Sequence, residues 1–177
     1  YLTFLQLDKY KELKHLFTTR HGGVSEGHCA SWNFGERHLD TAENILQNYE
    51  ILGQVLGAGT DQMVTSAQTH TTNIKVVTGA DRGKGVIRDR DYADIDGLVT
   101  DERNIAIITG HADCNAIFFF DPVKQVIGLA HSGWRGTLAG ISAAMTLKME
   151  QEYGCSPSDI IAGIGPSLCQ DCFEVDE

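Results

Sequence analysis

The chain has 177 residues, of which 42% are hydrophobic and 21% are charged, and its formal net charge is −10. This is the composition of a globular protein with enough residues to bury a core, and we expect a single domain over residues 1–177. The acidic balance argues against general binding to nucleic acid or to an anionic membrane, so a small-molecule substrate is expected.

The cysteines and the apolar runs indicate a cytoplasmic protein. Five cysteines at irregular spacing are an odd number and do not resemble a secreted disulfide framework. No signal-peptide pattern is visible, and no apolar run approaches the ~18–20 residues of a membrane helix. We therefore expect reduced thiols and no membrane partner, while the oligomeric state is not indicated.

The first part of the chain predicts a strand and then an amphipathic helix. The strand covers LKHLFTTR (13–20) and is followed by a glycine turn, and the helix covers 40–57. Asp40 and Glu43 have the spacing of a capping box, and Gly57 ends the helix. Its apolar stripe consists of Ile45, Tyr49, Leu52 and Leu56.

The rest of the chain alternates β-rich segments with one further helix. Strands are predicted in QMVTSAQTH, NIKVVTG, DGLVT, NIAIITG, NAIFFFDP, QVIGLAH and DIIAGIGPS. The charged segment 81–94 predicts an exposed loop. A helix over 138–154 closes at Gly154, and its buried face is predicted to be Leu138, Ile141, Met145 and Met149. The pattern predicts an α/β or α+β fold with a mixed sheet flanked by helices.

Three residues at predicted strand ends are candidate metal ligands: His70, Cys114 and His131. Two imidazoles and a thiolate suit Zn²⁺, and three protein ligands leave a fourth position for water or substrate. Spacings of 44 and 17 residues match no local zinc motif, so convergence depends on the fold. Taken singly, the cysteine also fits a buried apolar position and each histidine a hydrogen-bonded structural role. Asp113 fits a role in orienting the backbone or a ligand.

Other polar residues have weaker signals. Arg135 in GWRGT offers a cation at a glycine turn before a helix, which suits phosphate or, alternatively, a structural ion pair. Arg20 in TTRHGG is a second such cation. His111 is a spare candidate for a base. The pair Cys169 and Cys172 has Cys-x-x-Cys spacing without a second pair, so we do not expect it to bind a metal.

Seven motifs occur together in one order: TTRHGGVSEG, SWNFG, QTH, DGLVT, GHADC, GLAHSGWRGT and GIGPSLCQDCFEV. With these motifs, the sequence resembles the laccase-domain family from about Leu16 to Val175. This family is also called multicopper polyphenol oxidoreductase or YfiH-like. The resemblance implies a YfiH-like fold and a zinc-dependent purine nucleoside phosphorylase, with adenosine deaminase and methylthioadenosine phosphorylase activities. One bacterial branch of the family is described as a peptidoglycan editing factor.

The resemblance also implies roles for individual residues. The metal ligands are His70 of QTH, Cys114 of ADC and His131 of AHSGWRG. Pocket positions that would contact a purine nucleoside and phosphate are Arg20, Asn33 and Arg135. Of these, Arg20 and Arg135 are candidate catalytic residues together with Asp113.

Two departures from the family pattern are visible. After ADC the family usually has a small or apolar residue and then proline, whereas this chain has Asn115 and Ala116. The family also extends further at its C-terminus, so we expect the chain to lack that part of the domain.

Other functions remain open on the sequence. Copper oxidation of phenols is disfavoured because the seven histidines include no His-x-His pair. A metal-free hydrolase would use Cys114 as nucleophile and His131 as base, acting on a cell-wall amide. The usual deaminase signature is absent, so any deamination would need a differently built site. A purely partner-binding role is least favoured.

Overall fold

The computed structural model describes residues 1–35 and 39–174. Its helices are α1 (Leu5–Asp8), α2 (Ala42–Leu56), α3 (Trp134–Leu138) and α4 (Ile141–Tyr153). Its strands are β1 (Met63–Thr65), β2 (Ile74–Val76), β3 (Gly97–Thr100), β4 (Ala106–Ile108), β5 (Asn115–Asp121), β6 (Val126–Ser132) and β7 (Ile161–Ile164). Val175, the last residue of the GIGPSLCQDCFEV motif, lies outside the described residues.

Five strands form a mixed sheet in the order β2-β3-β6-β5-β7. The β2–β3 pair is parallel, and the other three pairs are antiparallel. A second sheet consists of the parallel pair β1–β4. Mixed sheets with flanking helices confirm the predicted fold class.

The elements stack in four layers, because each strand directs alternate side chains to opposite faces. Val99 of the large sheet belongs to the cluster that packs on α4. Its neighbour Leu98 packs instead with Val64 of β1. Met63, the residue before Val64, packs with α2. The layer order is therefore α4, five-stranded sheet, two-stranded sheet and α2.

Helix α2 confirms the predicted stripe but not the predicted cap. Ile45, Tyr49 and Leu52 are buried, and the left-handed Gly57 ends the helix. The N-cap, however, is Thr41, whose hydroxyl accepts from the Asn44 amide. Since the helix begins one residue later than predicted, the Asp40 carboxylate accepts from the backbone of Thr41 instead.

The predicted strand over 13–20 is wrong. Phe17 forms only an isolated antiparallel bridge with Leu2, through two backbone hydrogen bonds of 2.8 and 2.9 Å. Because its neighbour is the short N-terminal segment rather than a sheet, no ladder extends from this bridge.

The predicted exposed loop 81–94 is only partly exposed. Lys84 is 8% exposed and Asp81 is 4% exposed. The Lys84 ammonium lies 2.8 Å from carboxylate oxygens of both Asp81 and Asp91. Buried charges persist when they are paired, and this pairing holds the loop against the protein.

The second predicted helix is two helices. Gly140 has a left-handed backbone (φ 84°) and separates α3 from α4. Leu138 consequently lies on α3 and is 80% exposed, so its predicted burial is wrong. Met145 and Met149 of α4 are fully buried as predicted, and Gly154 ends the helix. Among the described residues, no helix is both long enough and apolar enough to cross a membrane.

Candidate metal centre

The fold brings the three candidate ligands together. The ligand atoms of His70, Cys114 and His131 all lie within 4.8 Å of one another. His70 follows β1 in the loop towards β2, Cys114 immediately precedes β5, and His131 lies within β6. Antiparallel pairing of Ala116 with His131 places the start of β5 beside the end of β6.

The donor set fits a tetrahedral metal ion. A zinc ion held at ideal sulfur and nitrogen distances separates the two donor atoms by about 3.6 Å. The observed distance from Cys114 Sγ to His70 Nε2 is 3.7 Å. His131 is buried, Cys114 is intermediate and His70 is exposed, so the cluster faces solvent on the His70 side. Three ligands with one open side are the arrangement of a catalytic metal site.

Asp96, a residue that the sequence reasoning missed, organises the centre. Its side chain is fully buried, and its Oδ1 accepts from the His70 amide at 3.0 Å. Its Oδ2 accepts from the amides of Thr69 and Thr71 at 3.1 and 2.8 Å. These bonds hold the His70 loop, in which His70 itself has a left-handed backbone with φ of 66°.

The same carboxylate orients His131. The Oδ1 of Asp96 lies 2.8 Å from His131 Nδ1, and the Asp96 carbonyl accepts from the His131 amide at 2.7 Å. Burial alone would raise the pKa of Asp96, but hydrogen bonds from His131, Thr71 and Thr69 outweigh it and lower that pKa. The ionised carboxylate accepts the Nδ1 proton, which leaves Nε2 of His131 for a metal. The signal available in the sequence was the position of Asp96 at the start of the DGLVT strand.

Gln68 connects the two ligand loops and was also missed. Its Nε2 donates to the Gly110 carbonyl at 2.7 Å, and its Oε1 accepts from the Gly110 amide at 2.7 Å. This two-bond contact joins the loop of His70 to the segment that leads to Cys114. Only its place in the QTH motif could have indicated it.

Gly133 provides the space in which two ligands meet. A Cβ at this position would lie 2.3 Å from Cδ2 of His70 and 3.1 Å from Sγ of Cys114. From the sequence, Gly133 was noted only as part of the glycine turn before a helix. The structure shows that this glycine lets the side chains of two candidate ligands approach each other closely.

The surroundings of Cys114 disfavour a free thiolate. Burial raises the pKa of the Cys114 thiol, and the charges of Asp113 and Asp96 raise it further. Ionisation of this thiol therefore depends on a cation, and a bound metal supplies one.

His111 is a half-buried neighbour of the centre. Burial, and then the charge of His131, lowers the pKa of His111 to about 4. Its ring nitrogens contact the Thr109 hydroxyl at 2.7 Å and the Cys114 carbonyl at 3.3 Å. These contacts support the turn before Cys114.

The remaining predicted site residues lie outside the ligand cluster, at different depths. Arg20 and Asn33 line a large cleft of about 1940 Å³, which His111 also lines. Asn33 is buried, and its side-chain amide donates to Asp40 at 3.3 Å. Arg135 lies on α3, exposed, with its guanidinium 4.8 Å from the ring centroid of Trp134.

Asp113 is exposed beside Cys114, and its carbonyl accepts from the Leu168 amide at 3.0 Å. Asn115 and Ala116, the departures from the family pattern, form the start of β5. Ala116 is buried, and its carbonyl accepts from the Gly165 amide at 2.8 Å, so the strand is continuous there.

Comparison with known proteins gives one consistent family. The family model described as multi-copper polyphenol oxidoreductase laccase matches residues 14–177. The purine nucleoside phosphorylase YlmD of Bacillus subtilis is 37% identical over 171 residues, which cover 94% of this chain and 60% of that protein. A purine nucleoside phosphorylase of Bacteroides thetaiotaomicron is 34% identical over 177 residues, covering 99% of this chain and 66% of that protein.

Solved structures give the same result. The crystal structure of YfiH from Bacillus licheniformis matches with a TM-score of 0.86 and 37% identity, covering 90% of this chain and 60% of that one. The structure of YlmD from Geobacillus stearothermophilus matches with a TM-score of 0.83 and 38% identity, with the same coverage. The chain thus spans about three fifths of the length of these relatives. With its whole length from residue 14 matched and its fold shared, the chain belongs to the multi-copper polyphenol oxidoreductase laccase family.

Proposed function

We propose that the protein is a zinc-dependent purine nucleoside phosphorylase. It would convert inosine, adenosine, guanosine or methylthioadenosine, with phosphate, into the free base and the sugar 1-phosphate. The observation that carries this proposal is the three-residue cluster with ligand atoms within 4.8 Å, one of whose histidines is oriented by a buried carboxylate. The names of the relatives at 32–37% identity support this reaction class.

The residues of the chain have separable proposed roles. His70, Cys114 and His131 would hold the zinc ion, which supplies Lewis-acid polarisation of a substrate oxygen when bound. Arg135 would bind phosphate, since its guanidinium is exposed on the helix that directly follows β6. We propose Arg20 as a second cation for the negative charge that develops as the glycosidic bond breaks.

Two further residues complete the proposed site. Asn33 is a proposed substrate contact from the wall of the cleft that Arg20 also lines. Asp113 would support the Cys114 turn through its carbonyl, which is bonded to Leu168. We place the reaction in the cytoplasm, consistent with five cysteines that are all free thiols.

Deamination of adenosine is a proposed second activity of the same centre. The solvent-facing side of the cluster at His70 leaves room for a substrate carbon to approach it. Release of inosine from adenosine without phosphate distinguishes this reaction from phosphorolysis.

Two alternatives are less well supported by the geometry. Multi-copper chemistry needs several metal sites, whereas residues 1–35 and 39–174 contain one group of three or more potential ligands. A metal-free hydrolase needs a reactive thiolate, whereas burial raises the pKa of Cys114.

The test uses chromatography to measure the release of hypoxanthine from inosine and phosphate. The assay is run before and after a chelator removes the metal. We expect activity to be lost on chelation and restored by Zn²⁺ rather than by Cu²⁺. Metal content measured in the same samples should be close to one ion per chain.

Matched cysteine variants sharpen this test. Cys114→Ser should lose both metal and phosphorolysis, whereas Cys172→Ser, at an exposed thiol outside the cluster, should retain both. Hypoxanthine release that persists in the metal-free protein would rule out the proposed function.

A further inference from the structure

The Cys169–Cys172 segment is held at the edge of the large sheet near the metal centre. After β7 ends, the Gly165 amide donates to the Ala116 carbonyl at 2.8 Å, and the Leu168 amide donates to the Asp113 carbonyl at 3.0 Å. These two bonds extend the pairing of β7 with β5 and hold the backbone in place up to the residue before Cys169. The two cysteines thus emerge from an anchored backbone.

The two cysteines lie at the two ends of a single turn. Residues 170–172 form a 3₁₀ turn, and the Cys172 amide donates to the Cys169 carbonyl at 3.1 Å. Both residues are exposed within the described part of the chain. A three-residue separation within one tight turn is the geometry in which a dithiol closes to a disulfide.

The Cys169 thiol differs from the Cys155 thiol in its pKa. Hydrogen bonds from the Cys172 thiol, and then from the Cys172 amide, lower the pKa of Cys169. Cys155 shows the opposite behaviour, because burial raises the pKa of its thiol to about 12. A thiol with a lowered pKa and free access is the one that attacks disulfides fastest near neutral pH.

Metal binding is a weaker interpretation of the same pair. In the part of the chain that the structure describes, the cluster of His70, Cys114 and His131 is the only group of three or more potential ligands. A metal ion at Cys169 and Cys172 would therefore have two protein ligands, short of the four of a structural zinc site.

We propose that Cys169 and Cys172 form a reversible dithiol–disulfide site that reacts with low-molecular-weight disulfides such as oxidised glutathione. This site is separate from the metal centre and does not depend on the proposed phosphorolysis. It adds thiol–disulfide exchange to the chemistry of the protein.

The exchange balances in two steps. The Cys169 thiolate attacks one sulfur of oxidised glutathione, its disulfide bond breaks, and one glutathione leaves as a thiolate that takes up a proton. Cys172 then loses its proton to solvent and attacks Cys169 Sγ, which releases the second glutathione. The protein dithiol is oxidised by two electrons, and one oxidised glutathione is reduced to two thiols.

The experiment incubates the purified, metal-loaded protein with oxidised glutathione and measures its mass after acid quenching. We expect a loss of about 2 Da, reversed by dithiothreitol, as the dithiol closes. Digestion with a protease that cuts before aspartate separates the two cysteines, because cleavage before Asp171 falls between them. The two fragments should therefore remain joined only in the oxidised sample.

Single variants assign the order of attack. Cys172→Ser should trap one glutathione on Cys169, a gain of about 305 Da, whereas Cys169→Ser should react much more slowly. Cys155→Ser serves as the control and should oxidise like the parent protein. A pair that stays reduced under these conditions, or faster trapping on Cys172 than on Cys169, would overturn the proposal.

Discussion

Gly133 illustrates how one missing side chain lets the residues of the candidate metal centre meet. Its backbone has φ of −69°, which any residue can adopt, so the need for glycine is steric rather than conformational. The atoms that a Cβ would meet belong to His70 and Cys114, two ligands from distant parts of the chain.

We therefore predict that Gly133→Ala weakens zinc binding by about tenfold or more, because displaced ligands no longer match the metal geometry. Competition with a chromophoric zinc chelator measures the change. Gly35→Ala is the matched control, since no atom of the described residues lies within 4 Å of a Cβ at that position. Equal zinc affinities in the two variants would contradict the steric explanation.

At the scale of elements, the segment 81–94 shows that paired charged residues can be buried and can hold a loop in place. Lys84 bridges two carboxylates, and Lys75 approaches Asp81 at 3.1 Å. Burial alone would raise the pKa of Asp81, but hydrogen bonds from Lys84, Thr78 and Lys75 outweigh it, so its pKa lies below the usual value.

A carboxylate with a lowered folded-state pKa stabilises the fold above its unfolded pKa of ~3.9, and this stabilisation is lost as the pH falls through the folded value. Asp81→Asn should therefore lower the free energy of unfolding by about 1–3 kcal/mol at pH 7. The difference from the parent protein should shrink below about pH 4.

Urea unfolding across this pH range measures both effects. Asp89→Asn, an exposed position in the same segment, should change little at any pH. A destabilisation by Asp81→Asn that is independent of pH would show that the charge of Asp81 is not its cause.

At the scale of the whole molecule, the centre depends on contacts between segments that are far apart in sequence. Asp96 binds residues 69–71 and His131 simultaneously and so fixes the His70 loop to the large sheet. Met145 holds the opposite face of that sheet, where a Cβ at Gly128 would lie 2.9 Å from its sulfur.

These two residues should separate stability from metal binding. In Asp96→Asn, the side-chain NH₂ group would face the N–H groups that now donate to the carboxylate. Because this arrangement no longer orients the ligands, we expect zinc affinity to fall about 10–100-fold. Met145→Ala should instead cost about 2–5 kcal/mol of unfolding free energy through its cavity and leave zinc affinity unchanged.

Urea unfolding combined with zinc competition distinguishes these outcomes. If Met145→Ala weakened zinc binding as much as Asp96→Asn, the effect of Asp96 would reflect general loss of structure. An unaltered affinity in Asp96→Asn would show that His131 needs no orienting carboxylate.

The sequence alone was sufficient wherever local pattern and burial agree. The apolar stripe of α2, the strands β5 and β6 and the buried methionines of α4 were predicted because periodicity reports directly which face is buried. The three candidate ligands were predicted from residue type and from motifs. Their convergence was not, because spacings of 44 and 17 residues contain no information on distance in space.

Tertiary structure decided the rest. The strand predicted at 13–20 found no sheet to join, and a left-handed Gly140 divided the second helix and exposed Leu138. Asp96 and Gln68 gained their roles only when strand pairing placed their partners beside them. A side chain's chemistry is local and readable in sequence, whereas the neighbours that orient it and set its pKa are assembled only by the packed fold.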